Sequence, residues 1–468
     1  MIELVHVRVR RADLHTRLPF KYGIAVLTET PHAFVEVALR VDGIEARGVA
    51  ADHLPPKWFT KNPTRAVAEE IAELVDVVTT AGRLALGGRG ATIFDLWLEA
   101  HHRMEATRRE RGWPPLLAQF GTSLVERAAI DAFCRAKGLT FAVALRTGAL
   151  GLRLGDIHPE LAGHAPAQLL PAAPLACVSV RHTVGLADPL QAGDTTTPLV
   201  DGLPETLEEN IAAYGLRQFK VKFTGPQDLP RLERIFGLIA PALAAPGGWL
   251  TLDGNESFTD VGAFQAMWSA LQALPAWARV RGALGCVEQP FHRAVALEPA
   301  TTGALLAWPE RPPLIIDESD GELDSLRRAL AGGYIGTSHK NCKGVFHGVA
   351  NACLLALRAE REGRRGLQTG EDLSNIGPVA LQQDLAVQAA LGIASVERNG
   401  HHYFRGLSFL PENVQVQVVA AHPDLYARHA RGFPALRIRD GQLDLGTVNA
   451  APFGVGFWPE LDAFPTVG

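Results

Sequence analysis

The sequence predicts an α/β protein built around a closed barrel of parallel strands, with a smaller α+β domain before it. Between about residues 175 and 405, eight short apolar strand patterns alternate with helical patterns. Strands separated by helices pair in parallel, and eight such units close a (β/α)8 barrel. An open doubly wound sheet is the alternative, which is disfavoured because no glycine-rich phosphate loop follows the first strand.

The region before the barrel changes period once. Residues 1–55 alternate apolar and polar side chains, which predicts a small antiparallel sheet, whereas apolar residues recur every three or four positions from 64 to 137, which predicts helices. The end of the chain is richer in Pro and Gly, and we expect it to form a hairpin at 436–446 and to return to the N-terminal domain. The predicted division is an α+β domain (1–137), a barrel (138–405) and a C-terminal segment (406–468).

The eight barrel strands are short and end in polar residues. Each is bounded by helical patterns or turn residues, so its two ends can be placed within a few positions. The predicted strands are 175–180, 218–223, 249–253, 285–289, 314–318, 334–340, 366–370 and 394–398.

Composition excludes several classes of function. A formal net charge of −5 and a pI near 6.4 argue against a nucleic-acid surface. The five cysteines are scattered without CxxC spacing, so neither a disulfide framework nor a thiolate metal site is indicated. No window approaches 18 uninterrupted apolar residues, and the N-terminus lacks a signal-peptide pattern. We therefore expect a cytoplasmic protein that binds neither nucleic acid nor membranes.

In a barrel of this kind, chemistry takes place at the carboxyl ends of the strands. Three successive strands end in carboxylates, and several oxygens from separate rigid elements suit a hard divalent cation. Without His or Cys among them, the set favours Mg²⁺ over zinc. The polar residues at the ends of strands two to six are Lys220, Lys222, Asp253, Asn255, Glu288, Asp317, Glu318 and Lys340.

Lysines stand on both sides of these carboxylates. Lys220 and Lys222 lie two apart in FKVKF, so both side chains leave the same face of their strand. Two buried ammoniums need anions nearby, or must give up protons. Lys340, on the sixth strand, is predicted to lie across the barrel from the second strand, so the lysines can approach one substrate from opposite faces.

These motifs resemble the enolase superfamily, specifically its muconate lactonizing enzyme-like subgroup (mandelate racemase/muconate lactonizing enzyme family). The resemblance rests on KVK, LDGNE, VEQPF, IIDES and SHKNCKG in that order, together with RLPFKYGIAVLTET near the start and APFGVGF near the end. It implies a modified TIM barrel of (β/α)7β type with an α+β capping domain that the C-terminal tail completes. Members commonly assemble into homo-oligomers.

The resemblance also implies roles. Lys222 matches the catalytic base and Lys220 the neighbouring lysine that tunes it, while Lys340 matches the opposite-face lysine, with Lys343 as the alternative. One Mg²⁺ per site is held by the matches Asp253, Glu288 and Asp317. A flexible capping loop near Pro19, Phe20 and Tyr22 closes over the substrate. Tyr22, Asn255, Glu318 and Lys343 are further substrate-binding or supporting candidates. Glu371, Asp372 and Glu397 are candidates because of their positions at the ends of strands seven and eight, and not because of the resemblance, since TGEDLSN and VERNGHHYF there do not match the substrate-binding motifs of the subgroup.

The predicted function is Mg²⁺-dependent abstraction of the proton α to a carboxylate of a small substrate, through an enediolate. Racemisation or epimerisation and cycloisomerisation are the favoured outcomes. One alternative is an acid-sugar or hydroxy-acid dehydratase of the same superfamily, although its usual seventh-strand His is missing from GLQTGED. The other is a non-catalytic barrel that binds a metal or ligand.

Overall fold

The computed structural model describes residues 1–467. The chain begins with an antiparallel sheet of order β3-β2-β1-β4 covered by three helices, and we call this unit the cap. Its helices have the predicted period of three and four. The cap consists of β1 (Ile2–Tyr22), β2 (Ala25–Val41), β3 (Ile44–His53), α1 (Val67–Ala85), β4 (Arg89–Gly90), α2 (Ile93–Arg111) and α3 (Pro115–Lys137).

The segment around Phe20 and Tyr22 is a β-hairpin, where a flexible loop was expected. Tyr22 pairs with Ala25 and Phe20 with Leu27, and a register shift separates this ladder from the one that ends at His15. Alternating burial of Leu18, Phe20 and Tyr22 explains the extended strand, because their side chains share one covered face. The expectation of a loop was therefore wrong for this segment.

Eight parallel strands form the barrel, which confirms the predicted architecture. They pair in sequence order, and the last pairs with the first, so the sheet is closed. Short apolar strands that alternate with helices along the chain produce this arrangement, because consecutive strands then pair in parallel. The strands are β5 (Cys177–Val184), β6 (Gln218–Lys222), β7 (Trp249–Asp253), β8 (Leu284–Glu288), β9 (Leu314–Ile316), β10 (Gly336–His339), β11 (Leu367–Gly370) and β12 (Ser395–Arg398).

Helices surround the barrel and precede its first strand. Two short ones, α4 (Phe141–Arg146) and α5 (Pro166–Leu169), lead from the cap to β5. No helix in residues 1–467 is both long and apolar enough to cross a membrane. The remaining helices up to β12 are α6 (Leu207–Tyr214), α7 (Leu229–Leu243), α8 (Val261–Gln272), α9 (Trp277–Val280), α10 (Pro299–Leu306), α11 (Ser325–Ala331), α12 (Val345–Glu362) and α13 (Ala380–Leu391).

The C-terminal segment contacts both parts of the molecule. The predicted hairpin is only a tight turn at Arg439–Gln442, and the strand after it pairs antiparallel with β5 of the barrel. The last described residues lie along β1, where Val467 N–H donates to the Val9 carbonyl. The boundaries at 137 and 405 stay predictions. After β12 the chain forms α14 (Gly400–Tyr403), and the C-terminal segment then contains α15 (Glu412–Ala421), β13 (Tyr426–Arg428), β14 (Pro434–Leu436), β15 (Gln442–Asp444) and α16 (Gly446–Ala450).

Helix α3 joins the cap to the end of the barrel at which the strands have their carboxyl ends. It is buried from Leu116 to Cys134 between the cap sheet and the barrel. Its Glu126 accepts hydrogen bonds from the backbone N–H groups of Val345 (3.1 Å) and Phe346 (2.7 Å), which begin α12. A carboxylate at a helix N-terminus satisfies donors that have no partner inside the helix. The loop that carries Lys340 is therefore held directly against the cap.

Candidate active site

Strand register places three of the predicted site residues side by side. Lys222 pairs with Asp253, and Asp253 pairs with Glu288, at the carboxyl ends of β6, β7 and β8. Neighbouring strands lie about 4.8 Å apart, so residues in register bring their side chains together. Because β6 and β10 are four strands apart in a closed ring of eight, Lys222 and Lys340 lie on opposite sides of the barrel.

A cavity lies between these strand ends and the cap. Its floor is ionic, and its roof, supplied by the cap, is largely apolar. The floor residues are Lys220, Lys222, Asp253, Asn255, Asp317, Glu318, Lys340, Asp372, Leu373, Ser374, Glu397 and Asn399, and the roof residues are Phe20, Tyr22, Leu27, Thr30, His53, Pro55 and Trp58.

Lys220 is the buried centre of the ionic floor. Its ammonium lies 2.8 Å from Glu371, 2.9 Å from Glu288, 3.1 Å from Asp253 and 3.2 Å from Glu397, and the side chain is only 2% exposed. Burial alone would lower the pKa of Lys220, but Asp253 and the other carboxylates hold it well above its usual value. Lys220 is therefore charged, and its tuning of Lys222 stays a prediction.

The two proposed bases each hold a carboxylate. Lys222 donates to Asp253 (2.8 Å) and to the side-chain oxygen of Asn255 (3.1 Å). Lys340 pairs with Asp317, and the Trp58 ring lies 4.9 Å above its ammonium. Burial would lower the pKa of Lys340, but Asp317 raises it above the usual lysine value. Both ammoniums reach the cavity.

Lys343 lies beneath the cavity floor. Its ammonium contacts Asp317 (2.8 Å) and donates to Ser338 Oγ (2.9 Å) and the Ser338 carbonyl (3.1 Å). It does not line the cavity. Burial would raise the pKa of Asp317, but Lys340 and Lys343 hold it well below its usual value. Of the two lysines left open by the sequence, Lys340 is the one that faces the cavity.

The carboxylates of the seventh and eighth strands are paired. Glu371 is fully buried and binds Arg181 as well as Lys220, so it does not reach the cavity. Glu397 accepts from Thr183; burial would raise its pKa, but Lys220 lowers it to about 2. Asp372 lines the cavity and pairs with Arg398. Glu318, by contrast, has no ion-pair partner within residues 1–467, and burial followed by Asp317 raises its pKa to about 7.

Asp253, Glu288 and Asp317 fit a magnesium ion by donor type. All three are buried carboxylates, and Mg²⁺ binds oxygen ligands. Burial, followed by Glu371, raises the pKa of Glu288 well above its usual value, as expected where negative charge exceeds the nearby positive charge. As arranged, no three His, Cys, Asp or Glu side chains in residues 1–467 form a metal-holding group. Metal binding therefore requires lysine ammoniums to move off these carboxylates.

Arg293 of the barrel domain binds the roof through hydrogen bonds to its backbone. Its guanidinium donates to the carbonyls of Trp58 (2.7 Å) and Phe59 (2.8 Å) and pairs with Glu256 (2.7 Å). Lys61 also contacts the 253–256 loop, through the Asn255 carbonyl at 2.6 Å. Tyr22 lines the roof, but its hydroxyl already donates to the Pro56 carbonyl at 2.8 Å. These contacts fix Trp58 over Lys340.

Sequence reasoning missed four residues of this site. Arg181 was overlooked because the predicted first strand stopped one residue before it. Arg398 is the last residue of the eighth predicted strand, but no local sequence pattern indicates that it pairs with Asp372. Trp58 and His53 belong to the cap and meet the barrel only through tertiary packing, although His53 does end a strand pattern. If the cap strands had also been searched for polar residues at their ends, His53 would have been found but Trp58 would not.

Comparison with known proteins supports the fold. No protein-family model matches the chain, and no curated protein matches it. Among solved structures, a Bradyrhizobium enolase complexed with magnesium and mandelic acid is 16% identical over 100% of this chain and 99% of its own, with a TM-score of 0.58. A dipeptide epimerase from Enterococcus faecalis V583, complexed with Mg and L-Leu-L-Tyr, is 15% identical over 97% of this chain and 99% of its own, with a TM-score of 0.59.

A third similar structure is a muconate lactonizing enzyme from Pseudomonas fluorescens complexed with muconolactone, 18% identical over 98% of each chain with a TM-score of 0.56. All three matches span the cap as well as the barrel, because they cover nearly the whole chain. The predicted resemblance to the enolase superfamily is thus confirmed at the level of fold. The chain has the barrel-and-cap fold that these solved enolase, epimerase and muconate lactonizing structures share.

Proposed function

We propose that this chain is a Mg²⁺-dependent enzyme that removes the proton α to a carboxylate of a small substrate, as a racemase, epimerase or cycloisomerase. The observation that carries the proposal is the placement of Lys222 and Lys340. Both line one cavity, and they come from strands on opposite sides of the closed barrel. The tetrahedral α-carbon of a substrate between them can lose its proton to one lysine, and the planar enediolate that results can receive a proton from the other.

The ionic floor supports this use of the lysines. A lysine acts as a base only when neutral, and its reference pKa is about 10.4. Lys222 and Lys340 each pair with one carboxylate, Asp253 and Asp317 respectively. A cation bound by Asp253 and Asp317 would compete with the two ammoniums for these carboxylates and so favour the neutral amines. The Trp58 roof excludes water from Lys340, which strengthens charge interactions there.

Asp253, Glu288 and Asp317 are the residues we propose to hold Mg²⁺. The ion would stabilise the negative charge that builds up on the substrate carboxylate as the α-proton leaves. Lys220 keeps the surrounding carboxylates at their positions by contacting Glu371 and Glu397 as well. Asn255 and Asp372 line the cavity within reach of a substrate.

The similar structures support the proposal through what they bind. The Bradyrhizobium enolase was solved with magnesium and mandelic acid, and the Enterococcus faecalis epimerase with Mg and a dipeptide. Both ligands are carboxylic acids. A racemase for N-succinyl Arg/Lys from Bacillus cereus has the same fold, with a TM-score of 0.56. Formation of a homo-oligomer stays a prediction.

A dehydratase of the same superfamily is the second candidate. It would use a His from the seventh strand, but β11 and the residues that line the cavity after it contain none. His339 lies on β10, is 2% exposed and has its Nε2 atom 3.0 Å from Asn341. It does not reach the cavity. The non-catalytic alternative leaves two lysines on opposite faces unexplained.

Deuterium exchange at the α-carbon tests the proposal. The purified protein would be incubated in D₂O with Mg²⁺ and a panel of N-acylamino acids, dipeptides, and hydroxy and cyclic carboxylic acids, with EDTA-treated protein as the control. We expect at least one acid to acquire α-deuterium only when Mg²⁺ is present. Label that never appears, or that appears equally with EDTA, contradicts the proposal.

A further inference from the structure

An open groove lies at the amino end of the barrel, on the side away from the candidate active site. It runs between α11 and α12, and Gly333 and Gly366, which line it, lie shortly before β10 and β11. The candidate active site lies at the carboxyl ends of the strands, and no described residue lines both. A ligand in this groove would therefore leave the residues of the proposed reaction free.

The groove is basic, although the chain as a whole has a formal net charge of −5. The two glutamates that line it are already paired, Glu160 with Arg327 (2.9 Å) and Glu362 with Arg358 (3.1 Å). The other four arginines form no ion pair within residues 1–467, so their charges are not balanced. Those four are Arg311, Arg361, Arg364 and Arg365.

Arg311 is a half-buried cation that the backbone holds in place. Its guanidinium donates twice to the Gly333 carbonyl (3.1 and 3.2 Å) and once to the Trp308 carbonyl (3.0 Å). These carbonyls accept its hydrogen bonds, but they carry no net charge that would neutralise it. A guanidinium fixed in one orientation is suited to planar, two-point recognition of a phosphate or carboxylate.

The arginines at the end of α12 are exposed. Arg361 lies in the last turn of α12, where a cation is favourable because of the helix dipole. Gly363 ends the helix in the left-handed conformation (φ 65°), so Arg364 and Arg365 lie beyond it. The helix dipole explains Arg361 but not this second pair of cations, which face the same groove.

Part of the groove is apolar. Leu306, at the end of α10, lines it and is 57% exposed, and Leu330 of α11 also lines it. Exposed apolar surface bordered by charged residues is typical of binding sites. The groove therefore combines unpaired cations from separate segments with a surface that can cover an apolar body.

We propose that this groove binds a nucleoside polyphosphate, with its phosphates at Arg311, Arg364 and Arg365 and its nucleoside against Leu306 and Leu330. Linked phosphates carry several negative charges along one chain, and guanidinium groups bind phosphate oxygens through paired N–H donors. A single carboxylate or phosphate would leave most of these cations unpaired.

Titration calorimetry tests the site. ATP and inorganic triphosphate would each be titrated into the whole chain in about 150 mM KCl without Mg²⁺, so that exposed charges are screened. The variants are Arg364→Gln/Arg365→Gln, which removes two of the unpaired cations, and Leu306→Ser, which removes exposed apolar surface. Arg279→Gln/Arg281→Gln is the matched control, because it removes the same charge from two exposed arginines that do not line the groove.

We expect the wild type to bind one ATP per chain with a dissociation constant below about 100 μM. Arg364→Gln/Arg365→Gln should weaken ATP binding at least about 10-fold, whereas the control should stay within about 2-fold of wild type. Triphosphate should bind at least about 5-fold more weakly than ATP, and Leu306→Ser should reduce that difference.

Three results would overturn the inference. The first is that ATP does not bind, and the second is that both double variants weaken ATP binding equally, which would indicate a general attraction between anions and arginines. The third is that triphosphate binds as tightly as ATP, or that Leu306→Ser leaves their difference unchanged, since the nucleoside would then not lie against Leu306. None of these results bears on the reaction proposed for the other end of the barrel.

Discussion

Lys222 donates a 2.8 Å hydrogen bond to Asp253, so the proposed base neutralises one of the proposed metal ligands. The two residues face each other in register on neighbouring strands. A cation bound to Asp253 would compete with the ammonium for the same oxygens. Binding of Mg²⁺ to Asp253 is therefore coupled to the release of Lys222 from Asp253. The metal would bind first, and Lys222 would then act as the base.

The first prediction concerns the metal. By titration calorimetry, the chain should bind one Mg²⁺, and Asp253→Asn or Asp317→Asn should weaken binding at least about 10-fold, because each removes an anionic oxygen ligand. Asp13→Asn changes an exposed carboxylate in the cap and should bind as the wild type does. Absence of measurable Mg²⁺ binding, or unchanged affinity in both site variants, would rule out this metal site.

The second prediction concerns Lys220. Lys220→Met leaves four buried carboxylates without their shared cation, which should lower the free energy of unfolding at pH 7 by about 3–5 kcal/mol. Without the ammonium, the folded-state pKa values of these carboxylates rise, so the deficit should shrink as the pH falls. Urea unfolding measures both effects. Lys21→Met, at an exposed position, should stay within about 0.5 kcal/mol of wild type, and an equal loss in both variants would contradict the assignment.

The third prediction is a loss of stability in mild acid. Burial lowers the pKa of His182 and of His402 to about 3 in each case, whereas an unfolded histidine titrates near 6.5. Between these values the unfolded state binds more protons, so stability is full above about pH 6.5 and decreases as the pH falls, by at most about 1.4 kcal/mol per pH unit for each histidine.

Two leucine variants isolate the contribution of one histidine. His182→Leu should make the decrease in unfolding free energy between pH 7.5 and 5.5 smaller by about 1.4 kcal/mol, which is about half a proton averaged over this range, whereas His15→Leu, at a side chain that is 77% exposed, should leave the decrease unchanged. Identical slopes for wild type and His182→Leu would show that this histidine is not buried in its neutral form.

The fourth prediction concerns Arg293, whose hydrogen bonds hold Trp58 over Lys340. Arg293→Met removes the donors to the Trp58 and Phe59 carbonyls, so backbone amides near residues 58–60 should exchange with deuterium about 10-fold faster. Arg279→Met, on an exposed turn of α9, is the control and should leave that region unchanged. Protection that persists in Arg293→Met would mean that other contacts hold the roof.

The floor of the site could be predicted from the sequence because its signals are local. FKVKF, WLTLD and GCVEQ each place a charged residue at or near the end of a short apolar strand, and parallel pairing then brings Lys222, Asp253 and Glu288 together. The same logic identified Lys340 as lying across the barrel. Strand order alone determines these positions, so no side-chain packing had to be known.

The roof could not be predicted in the same way. Trp58 reaches Lys340 because Arg293, more than 200 residues later in the chain, holds its carbonyl. The resemblance predicted a loop at Phe20, yet the alternating burial of Leu18, Phe20 and Tyr22 makes this segment a hairpin. Long-range contacts decide both features, and local patterns do not contain them.

The most direct test of the two-base account uses separated enantiomers of an acid that exchanges. α-Deuterium incorporation in D₂O with Mg²⁺ would be followed for each enantiomer with the wild type, Lys222→Ala and Lys340→Ala. We predict that each variant loses exchange of one enantiomer by at least about 100-fold and that the two variants lose opposite ones, because each lysine serves one face. Equal rates for both enantiomers in both variants, with Mg²⁺ binding intact, would contradict the account.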